Sequence, residues 1–227
     1  IGEYVSVLLK VRTLKIPYLI EEVPSFYSVN CLKIILLAVL FAVAGILFCM
    51  LLHKSADLFG KWFPNPYLRV IAGGVAVILL ALLLHTSDYL GLGEAILKDS
   101  FVNVQSPERF LLKMIFTCFT LSSGFKGGEI VPTLFVGATL GSFLAPIFGL
   151  PTGICAACGM VAVFCGVTNC PLTSLLLSIE MFGSESLKYC LLCIALSYLL
   201  SGYYSLYNSQ KIMYSKYRTE FINRHSS

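Results

Sequence analysis

The sequence predicts an all-α polytopic membrane protein, and three observations carry that expectation. Of its 227 residues 57% are hydrophobic and 12% are charged, with a mean hydropathy of +0.84. A soluble domain carries about twice that charged fraction, so water cannot be this chain's main solvent. Second, the run from Ile34 to Leu52 is uncharged throughout and matches the roughly 20 residues needed to cross hydrocarbon. Third, from Phe110 onward the apolar runs become short, with Pro or Gly between them. Broken helices at membrane depth persist only where the freed backbone is buried in protein or lines a water-filled cavity. The later part of the chain therefore reads as built around a pathway.

Taken in order, residues 1–29 mix charge with apolar groups and are broken by Pro17 and Pro24, so they read as a connecting or interfacial segment. Residues 30–204 form the transmembrane helical part. After Ile34–Leu52 come His53, Lys54, Asp57 and Lys61, then Trp62 and Phe63 as interface anchors before Pro64. A second run, Val70–Leu84, carries Gly73-Gly74, small residues that suit close approach of another helix. The polar stretch from Lys98 to Arg109 reads as a loop or short surface helix. Apolar runs then recur at Phe110–Leu121, Ile130–Leu150, Ile154–Val167, Leu172–Phe182 and Leu187–Tyr204. Residues 205–227 read as a final pore helix and tail, whose Lys211, Lys216, Arg218 and Arg224 point to a cytoplasmic C-terminus. The chain starts at Ile1 without a signal-peptide pattern, which reads as a fragment edge.

The formal net charge of +4 is small and spread over loops and tail, so nucleic acid is not an expected partner. Seven of the nine cysteines, Cys49, Cys118, Cys155, Cys158, Cys165, Cys190 and Cys193, lie within apolar runs, as small packing residues would. Cys155-x-x-Cys158 and Cys190-x-x-Cys193 match a redox or metal spacing, but no His or acid stands near the first pair. No metal or cofactor is expected.

The stretch Gly124-Phe125-Lys126-Gly127-Gly128-Glu129-Ile130-Val131-Pro132-Thr133 places an acid inside an otherwise apolar region. A carboxylate at the bilayer centre costs from about 3 to well above 10 kcal/mol, so chains keep one there chiefly for transport or proton handling. Gly-Gly before an apolar helix exposes the helix's first amides, which with the positive dipole end make an anion site. Half-helix ends of this kind meet near the midplane of transporters. Glu129 reads either as a pore carboxylate or as a helix-start carboxylate satisfied by backbone amides. Lys126 reads as a snorkelling helix-end residue, Glu180 as a structural hydrogen-bonder, Asn169 as a helix cap, and His53, His85 and His225 as bordering water.

These residues resemble the CLC family of chloride channels and chloride/proton antiporters. Gly128-Glu129-Ile130-Val131-Pro132 stands where that family carries Gly-x-Phe-x-Pro. Asn169-Cys170-Pro171-Leu172-Thr173, followed by Ser178-Ile179-Glu180-Met181, is similar to its Ala-Pro-Leu-Thr helix ending in Glu-Met. Ser205-Leu206-Tyr207 matches the short sequence around its pore tyrosine. The resemblance covers residues 30–215. It implies the second of two inverted repeats, anion contacts at Gly128, Glu129, Ile130, Val131 and Tyr207, and movement of chloride or fluoride coupled to protons across the cell membrane. It also implies a homodimer through Leu172–Tyr204, with the gating-glutamate loop lying before Ile1. The Gly-Gly-Glu start resembles the bacterial fluoride/proton antiporter branch, whose pattern is Gly-Gly-Glu-Val-Thr-Pro, although Val131 replaces the threonine. The rival readings are a membrane thiol oxidoreductase on the paired cysteines and a non-transporting remnant that only dimerises; the expectation is that the chain is not an enzyme.

Overall fold

The computed structural model describes residues 20, 23–24, 28–207 and 209–226. The connecting segment expected at 1–29 falls almost wholly outside them. Eight helices and one hairpin follow along the described chain.

Helix α1, Ser28–Trp62, has 35 residues, about 52 Å at 1.5 Å per residue, well beyond the ~30 Å of hydrocarbon. The helix runs on through His53, Lys54 and Asp57 because its backbone bonds are local and these side chains do not oppose it. It stops before Pro64, whose ring disfavours helical backbone in the residue ahead of it. Helix α2, Pro66–Leu83, starts with proline at a position that needs no N–H donor, and the Asn65 side chain accepts from the Tyr67 amide at 3.0 Å. Gly73 is its one buried residue: a Cβ there would overlap the Ser123 side chain, so the glycine is what lets α2 approach α4, Glu108–Ser122. Val77, Leu80 and Ala81 are half-buried against the core, while Leu68, Ile71, Ile78 and Leu83 present exposed apolar surface.

Between them lies the short helix α3, Glu94–Asp99. The loop behind it is organised on Asp99, which accepts from Asn103 Nδ2 at 2.6 Å and Gln105 Nε2 at 2.9 Å. Those bonds, Gln105's foremost, hold its carboxyl below the usual carboxylate range, with Arg109 adding a smaller pull.

The centre of the molecule is α5, Ile130–Phe148, packed along α6, Thr152–Thr168. Every residue of α6 from Ile154 to Thr168 is buried. Around this pair stand α1, α4, α7 (Pro171–Phe182) and α8 (Leu187–Leu200). Asn169 ends α6 in the left-handed conformation (φ 56°), which asparagine tolerates. Pro171 then opens α7 at the first helical position. Among the described residues three helices, within Val29–Trp62, Pro66–Leu83 and Ile130–Phe148, are long and apolar enough to cross a membrane.

The tail departs from the expected final pore helix. The described residues after Leu206 form an antiparallel hairpin, β1 Lys211–Tyr214 with β2 Phe221–His225. Ile212 and Tyr214 on one strand and Phe221 and Ile222 on the other are β-branched or aromatic, residues that suit a pleated surface better than a helix. The hairpin is anchored by Lys216, whose ammonium donates to Tyr198 O (2.8 Å), Ser201 Oγ (3.2 Å) and Asn169 Oδ1 and lies 4.2 Å above the Tyr198 ring. Burial in this contact pushes Lys216 down to about 8.

Candidate functional site

Helix α5 begins where the glycines end. Glu129 is its N-cap residue, with helical backbone (φ −89°, ψ −20°), and its side chain makes no capping hydrogen bond. Its carbonyl instead receives the Thr133 amide at 3.2 Å and the Thr133 hydroxyl at 2.8 Å. The amides of Ile130 and Val131 fall among the first of the helix, which have no acceptor inside it, and Pro132 has no N–H to add. Gly128 is exposed, and nothing lies within 4 Å of where a Cβ would stand. Ile130 is exposed and Val131 half-buried.

One oxygen of the Glu129 carboxylate is closed off from solvent. Its Oε2 is buried and has no hydrogen-bond partner among the described residues. Reading Glu129 as a carboxylate satisfied by helix-start amides does not fit that geometry. Its charge acts on Cys49 of α1 and on Tyr207, and the charge of His53 acts on it. The His53 side chain of α1 meets the segment behind α8 at Leu206, one residue before Tyr207.

The Tyr207 segment is fixed by its backbone. Leu206 N donates to Val167 O at 2.9 Å, the Ser226 hydroxyl donates to Tyr207 O at 2.7 Å, and Asn169 Nδ2 donates to Tyr204 O at 2.9 Å. The Tyr207 side chain stays 40% exposed. His53, expected to border water, is half-buried, with Nε2 at 3.3 Å from Leu206 O. Lys126 and Glu180 are exposed and stand apart from this cluster.

On the other flank of the glycine segment a cavity of about 520 Å³ is lined by Tyr89, Gly91, Lys113, Phe116, Gly128 and Pro132, among others. Lys113 is a residue that sequence reasoning passed over. It is buried on α4, donates to Gly91 O at 2.7 Å and Tyr89 O at 3.2 Å, and lies 5.1 Å from the centre of the Phe135 ring. Among the described residues no carboxylate pairs with it. A lone cation in an apolar run was the available signal.

The cysteines of the two Cys-x-x-Cys pairs are free and buried.

Short, interrupted apolar helices packed around one buried pair mark a polytopic membrane protein. The sequence model described as "Voltage gated chloride channel" matches residues 3–202. The chain therefore belongs to the voltage-gated chloride channel (CLC) family. It is 35% identical over 206 residues to a "Chloride/fluoride channel protein" of Pseudomonas syringae pv. tomato, covering 88% of this chain and 46% of that protein. It is 28% identical over 169 residues to the "H(+)/Cl(-) exchange transporter ClcA" of Yersinia pestis, covering 67% of this chain and 35% of that one. Its fold matches a crystal structure of a CLC-type fluoride/proton antiporter with a TM-score of 0.85 at 30% identity, over 91% of this chain and 52% of the other. The chain spans about half the length of these proteins, or less.

Proposed function

We propose that this chain forms the anion-binding wall of a CLC-type transporter that moves chloride or fluoride across the membrane in exchange for protons. The observation that carries the reading is the Glu129 carboxylate, with Oε2 buried and unpartnered at the amino end of a helix whose first amides are free to bind an anion. Dehydrated halide passes the amides of Gly128, Glu129, Ile130 and Val131. Tyr207 supplies a hydroxyl, which donates without charge and so holds a halide without trapping it. Glu129 in its protonated form donates to the halide, and on losing the proton repels it. The similarity to a chloride/fluoride channel protein and to a fluoride/proton antiporter structure makes fluoride the first ion to test.

Two such subunits pair through Leu172–Tyr204, where Leu172, Leu176, Ile179, Leu191 and Leu199 present exposed apolar surface. The C-terminal hairpin, with Lys211, Lys216, Arg218 and Arg224, lies on the cytoplasmic side by the excess of cations. The test is efflux from liposomes holding the full-length protein, read with fluoride and chloride electrodes and an internal pH dye. Halide efflux accompanied by opposite proton movement supports the reading; absence of flux for both ions in folded protein overturns it.

A further inference from the structure

Helices α5 and α6 run antiparallel, since Gly137 lies against Gly159 and Gly141 against Cys155. The amino end of α5, with Glu129, therefore stands at the level of the carboxyl end of α6. A helix end of that kind leaves carbonyls without partners inside the helix, and the tail takes two of them. Leu206 N donates to Val167 O at 2.9 Å, and Gln210 Nε2 donates to Thr168 O at 3.0 Å. The same carboxamide accepts from Ser205 Oγ at 2.7 Å and, at the limit of a bond, from Asn169 Nδ2 at 3.5 Å. A carbonyl only accepts, so Nε2 is the atom that faces Thr168 and Oε1 the one that faces Ser205. The main chain of Gln210 closes the ring: its N–H donates to Tyr207 O at 3.0 Å, and its carbonyl accepts from Ser226 N at 3.0 Å. Ser226 in turn donates its hydroxyl to Tyr207 O at 2.7 Å, and Tyr207 N donates to Ser205 Oγ at 3.2 Å. Both main-chain groups of Tyr207 thus end on Gln210 or on a residue that Gln210 holds, although the tyrosine sits in no helix.

We propose that Gln210 is the positioning residue of Tyr207: its carboxamide ties the tyrosine's segment to the carboxyl end of α6 and so sets the phenol against the first amides of α5. The inference rests on the transport reading above. A carboxamide suits this place because it offers a donor to the Thr168 carbonyl and an acceptor to the Ser205 hydroxyl at once. It does so without charge, so it adds no ion beside the path that would trap a halide. The phenol hydroxyl lies at the far end of its side chain, so a small swing of the main chain carries it out of hydrogen-bond range. Fixing that main chain is what makes the hydroxyl available to the ion.

The plain structural alternative is that Gln210 only caps α6 and fastens the hairpin. A double-mutant cycle with Tyr207→Phe separates the two, because residues that act through one another are not additive. In full-length protein in detergent, Gln210→Met keeps the side-chain length and loses the carboxamide. Calorimetry should then show fluoride and chloride binding weakened about tenfold, the effect of one hydrogen bond to the ion. Tyr207→Phe, which removes the hydroxyl itself, should weaken binding by a similar factor. Adding Gln210→Met to Tyr207→Phe should cost no more than about a further twofold. Wild-type affinity in folded Gln210→Met overturns the inference, and so do losses that multiply in the double variant. Tyr207→Phe that binds both halides as wild type does also overturns it, since no hydroxyl then needs placing. Efflux from liposomes by the wild type beside any of those results leaves the anion path standing, whereas no halide movement by the wild type overturns both readings. If Gln210→Met does not fold, Ser205→Ala removes the hydroxyl that links Gln210 Oε1 to Tyr207 N. The same cycle with Tyr207→Phe then decides: non-additive loss upholds the proposal, and multiplied loss or none overturns it.

Discussion

Gly137 of α5 and Gly159 of α6 face each other backbone to backbone. A Cβ at Gly137 would fall 2.7 Å from the Gly159 carbonyl carbon and nearer still to its oxygen, and one at Gly159 would reach the Gly137 carbonyl. One turn along, Gly141 meets Cys155 in the same way. Small residues four apart let helices in lipid gain packing energy where the hydrophobic effect offers none.

Gly137→Ala must therefore push α5 and α6 apart. Overpacking of this kind costs about 3 kcal/mol, expected as a clear drop in the melting temperature read by size exclusion after heating in detergent. Gly128→Ala, with open space around its Cβ, leaves that temperature unchanged. Equal melting of both variants would mean that the α5–α6 contact is looser than described.

Lys113 ties α4 to the turn that carries Tyr89 and Gly91. Lys113→Met leaves two carbonyls without donors. Loss of about 1.4 kcal/mol locally raises amide exchange roughly tenfold in residues 85–93. Exchange in α6 stays as it was. An unchanged turn would assign Lys113 to the cavity it lines and not to the loop.

The membrane class, the short helices from 108 onward and the Gly-Gly-Glu helix start were legible in the sequence because each is a local pattern. The run Ile154–Val167 became α6 and Leu172–Phe182 became α7 within two residues at either end. What was illegible depends on distance along the chain. His53 meets Leu206 across 153 residues, and no periodicity encodes that contact. The tail hairpin was hidden by the resemblance, which directed attention to a pore helix although Lys211–Tyr214 and Phe221–His225 carry strand-forming residues. Lys113 was overlooked because apolar neighbours on both sides made its segment look uniform.

The cysteines are expected to pack and nothing more. Cys155, Cys158, Cys190 and Cys193 are buried to the last fraction of surface, and a thiol without solvent access does not react. Maleimide labelling of folded protein should leave all four unmodified, and their joint replacement by Ala or Ser should keep halide flux within about threefold, as mild repacking does. Rapid labelling, or loss of flux in folded protein, would revive the thiol-oxidoreductase reading.

Docking of the hairpin depends on pH through Lys216. Its folded value of about 8 lies below the ~10.4 of a free lysine, so the undocked state binds more protons between the two. Docking therefore strengthens as pH rises through 8 toward 10 and loses that contribution as pH falls back. Limited proteolysis within residues 211–225 should be slower at about pH 9.5 than at about pH 7, once protease rates are normalised on an unfolded substrate. Lys216→Met should abolish the difference. A pH effect that persists in Lys216→Met would place its origin elsewhere.

The last prediction separates the two halides at Glu129. Fluoride is far more strongly hydrated than chloride, so a fluoride path must offer strong hydrogen-bond donors in place of that shell. A protonated carboxyl is such a donor, and an ionised one repels either anion. Glu129 has the setting for the protonated state, since Oε2 is buried and unpartnered. Glu129→Gln keeps an N–H donor but loses the strongly polarised O–H and the proton it can release. Val131 stands in place of the threonine in the fluoride branch's pattern, which leaves the carboxyl to supply more of the discrimination. In full-length protein in liposomes, Glu129→Gln should lower fluoride efflux about tenfold more than chloride efflux, the effect of one hydrogen bond weakened by ~1.4 kcal/mol. Ion-selective electrodes read both fluxes, wild type beside mutant. If wild type passes chloride freely and the mutant keeps the same fluoride-to-chloride ratio, Glu129 does not choose the ion. The amides of Ile130 and Val131, with Tyr207, would then carry selectivity toward chloride.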